Sequence, residues 1–186
     1  MENGLVIERW QSGNQEHAQA FAEINRGWVQ EFFTVEPEDM VMFDDPQKKL
    51  IDAGGMIFFA RLDGRIVGVI GLLNMGSGVY ELSKMGVVPG MRGKGIGRKL
   101  GNALIHYARS IGARKLYIAS NRKLEQAIIL YKSLGFVETT AGQDARYARA
   151  NITLEMDLIP QEVGGREGLD PTRYGDWESK GKCVDF

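Results

Sequence analysis

The segment Val87-Val88-Pro89-Gly90-Met91-Arg92-Gly93-Lys94-Gly95-Ile96-Gly97-Arg98 constrains this chain more than any other, because it joins an apolar strand to an amphipathic helix through a basic, glycine-rich turn. The first N–H groups of a helix have no intrahelical acceptor and carry partial positive charge, so such a turn is ready to hold an anion. Glycines at 93, 95 and 97 leave room for close approach and tolerate a left-handed backbone, while Arg92, Lys94 and Arg98 add formal charge. Spacing separates the competing phosphate-binding patterns. The Walker loop needs Gly, four residues, then Gly-Lys-Ser/Thr, which no window supplies. The dinucleotide fingerprint needs a third glycine where Arg98 or Leu100 stands. What remains is Arg-x-x-Gly-x-Gly, filled by Arg92, Gly95 and Gly97.

Taken alone, the turn also fits an ordinary strand-to-helix connection with solvated basic residues. Further along stand Asn121, Ala127, Leu130, Tyr131 and Leu134-Gly135-Phe136. The two motifs, in this order, resemble the coenzyme A loop and the second landmark of the GCN5-related N-acetyltransferase (GNAT) family, over residues 4–159. The resemblance implies a single α/β domain with a mixed, mostly antiparallel central sheet, helices on both faces and a splayed central strand pair. The splayed strands would be those ending at Val88 and Ser120. It also implies acetyl-CoA as co-substrate, held by Val87, Val88, Arg92, Gly93, Lys94, Gly95, Ile96, Gly97, Arg98 and Asn121, with Lys132 within reach of the phosphates.

Length and charge agree with that scheme. A chain of 186 residues fits one domain plus a tail, and 23 basic against 24 acidic residues gives a net charge of −1. A general nucleic-acid binder carries a basic excess, so the local cluster at 92–99 suits a small polyanion and no nucleic-acid partner is expected. The single cysteine, Cys183, forms no intrachain disulfide. No apolar run approaches the ~20 residues of a membrane span, and no basic-then-apolar leader opens the chain. The expectation is a cytoplasmic protein without a membrane partner.

Periodicity predicts strands at 5–10, 56–62, 65–73, 80–88, 115–120, 135–139 and 151–159, with helices at 15–33, 95–111 and 123–134. Asp63-Gly64 is the strongest hairpin signal. Pro37 and Pro46 interrupt the mixed segment 34–55, where a short helix is expected over 45–53. An acetyltransferase domain is expected over 1–159. From 160 to 186 glycines alternate with charges, giving a tail or arm. It is either a mobile terminus or an arm whose Tyr174 and Trp177 dock on the core or on a second subunit, so a homodimer stays open.

Acetyl transfer to an amine needs the amine uncharged, the carbonyl oxygen stabilised and the departing thiolate protonated. An amine of pKa about 10.4 costs roughly 5 kcal/mol to deprotonate at neutral pH. Glu81, on the strand leading to Val88, is the candidate base by position and type; its alternative is a solvated strand-end carboxylate. By resemblance, Tyr131 is the candidate acid near the coenzyme sulfur, although it also falls in a helical apolar stripe as a core aromatic would. Holding both substrates together removes roughly 7 to 11 kcal/mol of a bimolecular barrier, and a backbone N–H at Val87 or Val88 offers a one-donor oxyanion site. Asn121 either contacts the pantetheine arm or caps the following helix. His17 and His106 stand singly, so no metal is implied.

Two stretches bear on the acceptor, with opposite implications. The acidic residues Glu36, Glu38, Asp39, Asp44 and Asp45 would attract a cationic amine, whereas Arg146, Tyr147, Arg149 and Asn151 would hold the carboxylate of an amino acid or peptide. The expected activity is transfer of acetyl from acetyl-CoA to a primary amine, amino acid or peptide by direct attack in a ternary complex. A different class, a catalytically silent acyl-CoA-binding sensor or interaction module, would use the same loop.

Overall fold

A computed structural model describes residues 4–139 and 148–158, together with the backbone of 177–179 and 182–184. One seven-stranded sheet runs in the order β1-β2-β3-β4-β5-β7-β6. Its strands are β1 (Val6–Arg9), β2 (Met56–Leu62), β3 (Arg65–Gly76), β4 (Val79–Val87), β5 (Lys115–Ser120), β6 (Val137–Thr139) and β7 (Ile152–Asp157). Every neighbouring pair is antiparallel except β4 and β5, which the helix α3 (Ile96–Ser110) connects. The β2–β3 hairpin closes at Asp63-Gly64 with both residues left-handed (φ 49° and 79°), the geometry of a type I′ turn.

Alternation along the strands builds a core on each face. On one face Phe58, Ile70 and Leu72 meet Leu100 and Leu104 of α3, and Tyr131 of α4 (Glu125–Ser133). On the other, Ile57, Phe59 and Val69 meet Phe21 and Val29 of α1 (Gln15–Phe32) and Phe43 of α2 (Pro37–Asp44). The mixed sheet with helices on both faces is the expected architecture.

Residues 34–55 depart from expectation. Helix α2 was not anticipated, and the helix expected over 45–53 is a single π-helical turn, Gln47–Ile51. Pro37, expected to interrupt helix, sits in the first turn of α2, where the missing N–H costs nothing. Helix α4 starts at Glu125, later than the expected 123. Beyond Leu158 a short antiparallel pair, β8 (Trp177–Ser179) and β9 (Lys182–Val184), is described. Tyr174, Arg146 and Tyr147 lie outside the described residues. Among the described residues, no helix is long and apolar enough to cross a membrane.

Candidate active site

The site begins where the sheet fails to close. Strands β4 and β5 pair only over Val79–Glu81 and Lys115–Tyr117, although β4 continues to Val87 and β5 to Ser120. Beyond Glu81 they part, and a cleft of about 720 Å³ passes between them, lined from β4, β5, α1, α3 and α4. A bulge accompanies the parting: Val69 faces Gly86 but Gly71 faces Ser83, so Lys84 and Met85 oppose the single residue Ile70. Lys84 is left-handed there, with φ 50°.

Backbone polarity at the opening follows from register. Val88 N–H donates to Val67 O at 3.0 Å, across to β3. Alternate residues of a strand face opposite edges, so the N–H and C=O of Val87, opposite Gly68, point away from β3 toward the gap. Arg92 Nε accordingly donates to Val87 O at 3.1 Å. Of the two valines, Val87 therefore has the N–H that faces the cleft, while that of Val88 is engaged.

The glycine-rich turn forms the mouth of the cleft. After a 3₁₀ turn at Pro89–Met91, Gly93 and Gly95 adopt φ 76° and 77°, which side-chain-bearing residues rarely tolerate. Gly95 is the N-cap of α3 and has no side chain to offer, so the first-turn N–H groups of Ile96, Gly97 and Arg98 face outward. A Cβ on Gly97 would lie 3.0 Å from Leu130 and from Met85, and one on Gly101 would lie 2.6 Å from Leu134. These two glycines let α4 nest against α3 and bring Tyr131 to the cleft.

Arg92 meets Glu31 of α1 fork to fork, at 2.8 and 2.6 Å, and that contact keeps the Glu31 carboxyl below its usual range. Arg98 and Lys94 are exposed, and Lys94 Nζ lies 3.5 Å from Met91 Sδ. Lys132 points elsewhere: its Nζ lies 3.2 Å from Glu138, and it does not line the cleft.

Glu81, only 2 % exposed, and Tyr131, 7 % exposed, both line the cleft. Burial pushes the Tyr131 hydroxyl up to about 12, so it keeps its proton at any working pH. Its ring stands edge-on to Phe136 at 6.3 Å. Asn121 also lines the cleft. Its Oδ1 accepts from Lys123 N–H at 2.8 Å and its amide donates to Arg149 O, so it shapes the loop before α4 without capping that helix.

A buried charge cluster closes the α1–α2 end. Asp39, fully buried, accepts from Lys84 Nζ at 2.7 Å, from Arg149 Nη1 and Nη2 at 2.7 and 2.8 Å, and from Glu36 N–H at 3.1 Å. Burial alone would raise the Asp39 carboxyl, but the hydrogen bonds from Arg149, the charge and hydrogen bond of Lys84 and the Glu36 N–H outweigh it and hold it at about 2. The acidic stretch and Arg149, read separately from the sequence, thus meet each other. Lys84 and Phe33 join the lining, as do Trp28 and Phe32, whose helical spacing marks them only as an apolar face packing on the sheet. An available signal was Lys84 itself, an ionisable residue inside an apolar run.

The lone histidines behave as structural and surface groups. His17 is buried; its Nδ1 accepts from Gln11 N–H at 3.1 Å, which puts the proton on Nε2, 3.2 Å from Glu8. His106 is exposed on α3.

Known proteins share this fold. The acetyltransferase (GNAT) family model matches residues 18–136, and a model described as a protein of unknown function (DUF1674) matches 139–186. The uncharacterized N-acetyltransferase YjgM of Escherichia coli is 34% identical over 86 residues, covering 45% of this chain and 52% of that protein. The chain thus spans about half the length of that relative. The UPF0369 protein RP167 of Rickettsia prowazekii is 41% identical over 64 residues, 34% of this chain and 81% of that one. Among solved structures, an acetyltransferase of the GNAT family from Staphylococcus aureus superposes with a TM-score of 0.75 at 21% identity, over 83% of this chain and 99% of that one. The structure of yncA from Salmonella typhimurium with its cofactor acetyl-CoA does so at 0.64 and 20%, over 87% and 98%. The segment from 139 onward therefore carries a second family signature, which overlaps β7 of the sheet. Since the first model spans well over half of it, the chain belongs to the acetyltransferase (GNAT) family.

Proposed function

We propose that this protein transfers an acetyl group from acetyl-CoA to a primary amine by direct attack within a ternary complex. The observation that carries this reading is the parting of β4 from β5 beyond Glu81, which opens a cleft between the two faces of the sheet with a backbone donor, Val87 N–H, aimed into it. The residues at the mouth fit the coenzyme. Outward N–H groups of Ile96, Gly97 and Arg98, with exposed Arg98 and Lys94, suit a pyrophosphate, and the left-handed glycines leave the approach clear. Acetyl-CoA supplies the activated acetyl group and a thiol leaving group.

Within the cleft the chain's own groups divide the work. Val87 N–H is the donor for the carbonyl oxygen as negative charge develops there. Glu81 receives the amine proton, directly or through water, and Tyr131, which burial keeps protonated, gives its proton to the thiolate as the C–S bond breaks, its oxygen then recovering the proton that the amine released to Glu81. The backbone edge of β4 orients the pantetheine arm beside Asn121. The relatives described as N-acetyltransferases support transfer to nitrogen.

The deciding experiment follows thiol release from acetyl-CoA with pooled amines, alongside calorimetric binding of acetyl-CoA. Tyr131→Phe is expected to lower kcat by about 10²-fold at unchanged acetyl-CoA affinity. Intact binding with no thiol release from any pool would replace the transferase by an acyl-CoA sensor.

A further inference from the structure

Of the described charged residues that the sequence offers for recognising an acceptor, Arg149 lines the cleft and is answered by Asp39 and Glu36, while Glu38, Asp44 and Asp45 are exposed and do not line it. Two carboxylates, Asp39 and Glu36, meet two cations, Lys84 and Arg149, and the group sums to no net charge. Arg149 presents its fork to Asp39 and also lies 3.3 Å from Glu36 Oε1, whose other oxygen accepts from Ala148 N–H at 3.3 Å. A carboxylate-bearing acceptor would have to displace Asp39 from that fork. A polyamine entering the cleft would find Asp39 and Glu36 already engaged.

What the same end of the cleft turns toward solvent is aromatic. Trp28 and Phe32 are four residues apart on α1 and share a face. Trp28 is fixed by its Nε1, which donates to Asn25 Oδ1 at 2.9 Å, and Asn25 is itself buried and donates to Phe21 O at 2.9 Å. Gly86 admits this ring directly onto β4: a Cβ there would lie 2.8 Å from Trp28. Phe32 is 41 % exposed, and Phe33 sits beside it at 6.3 Å with the Arg149 guanidinium 5.7 Å from its centroid. A rigid indole beside an exposed phenyl is a surface that gains from being covered by apolar matter, and the buried Glu81 lines the same cleft.

Resting on the transferase reading, we propose that the acceptor is a primary amine carried on an aromatic or bulky apolar body without a carboxylate, which packs against Trp28, Phe32 and Phe33 and extends its amine toward Glu81. The class is that of the arylalkylamines, as distinct from polyamines and free amino acids.

Calorimetry on the full chain saturated with CoA tests this with four probes: 2-phenylethylamine, ethylamine, spermidine and phenylalanine. The expected Kd for 2-phenylethylamine is at least about tenfold below those of ethylamine and spermidine, from burial of the phenyl group. Phenylalanine, identical but for its carboxylate, should bind more weakly than 2-phenylethylamine. Phe32→Ala, at an exposed position, should bring the ratio of ethylamine to 2-phenylethylamine Kd below about threefold, and Trp28→Leu should lower it as well. A flat series, tighter spermidine or phenylalanine, no binding of 2-phenylethylamine at millimolar concentration, or a ratio indifferent to both substitutions would overturn the proposal. Thiol release with the same probes judges the two readings separately. Selective binding of 2-phenylethylamine without release keeps this site and removes the transferase, whereas release from spermidine or phenylalanine in its place keeps the transferase and removes this site.

Discussion

Replacing Asp39 by Asn should be among the most damaging conservative substitutions in this protein. The carboxylate is fully buried and holds Lys84 Nζ, itself buried, at 2.7 Å and the Arg149 fork at 2.7 and 2.8 Å. Asparagine keeps the shape but removes the charge, leaving two cations with little access to water. Breaking a buried pair by deleting one partner costs about 3 to 5 kcal/mol, which for a domain of this size lowers Tm by roughly 6 to 20 °C. Urea unfolding should show the loss in the midpoint at an unchanged slope. Removing Lys84 as well, in Asp39→Asn/Lys84→Met, should recover at least about 1 kcal/mol. The pH dependence has a definite sign. Asp39 is held at about 2, below its ordinary 3.8, so its stabilising contribution is complete above about pH 4 and disappears as pH falls toward 2. The stability gap between wild type and Asp39→Asn should therefore narrow by about 2 kcal/mol across that window. A loss below about 1 kcal/mol at pH 7, or a gap that widens on acidification, would refute the buried-pair account.

Three further outcomes are expected. Glu31→Gln should release the Arg92 fork and tighten CoA binding about 1.5- to 5-fold in calorimetry, with no change for pantetheine, which lacks the pyrophosphate; equal shifts for both ligands would place the effect elsewhere. Lys84→Gly should be less destabilising than Lys84→Ala by about 1 kcal/mol in urea titrations, since both lose the Asp39 contact but only glycine relieves the left-handed backbone at φ 50°. Gly97→Ala should weaken CoA binding in calorimetry with a net stability change within about 1 kcal/mol in urea titrations, because the added methyl meets the side-chain ends of Leu130 and Met85 at 3.0 Å while alanine gains about 1 kcal/mol of helix propensity; unchanged CoA affinity would refute the crowding.

Much of the fold is legible because its signals are local. Strand β5 occupies the residues its alternation marks, and the Asp63-Gly64 hairpin closes as its sequence requires, since both residues tolerate a left-handed backbone. The glycine-rich turn is legible for the same reason: a helix N-terminus and two positive φ angles are properties of a few consecutive residues. Helix α2 escaped notice through one misassigned proline. Pro37 disfavours helix at an interior position but suits the first turn, and Asp39 accepting from the Glu36 N–H is a start signal visible only once Glu36 is recognised as the N-cap.

The chemistry of the acceptor end was illegible for a physical reason, which is that its decisive contacts join distant segments. Arg92 meets Glu31 across 61 residues, Lys84 meets Asp39 across 45 and Arg149 meets Asp39 across 110. Read along the chain, residues 36–45 are an acidic patch and Arg149 is a surface arginine, and each invites an acceptor of opposite charge. Folded, Asp39 and Glu36 are the counter-ions of Arg149, and the bulge that accompanies the parting of β4 from β5 carries a buried Lys84, whose ammonium needs a carboxylate. Asp39 answers that need from the first turn of α2 and Arg149 completes its coordination from the segment before β7. The parting of β4 from β5 is therefore accompanied by a buried ammonium that α2 neutralises, and on the reading proposed above this leaves the aromatic residues of α1 as the feature of that wall by which one amine would be told from another.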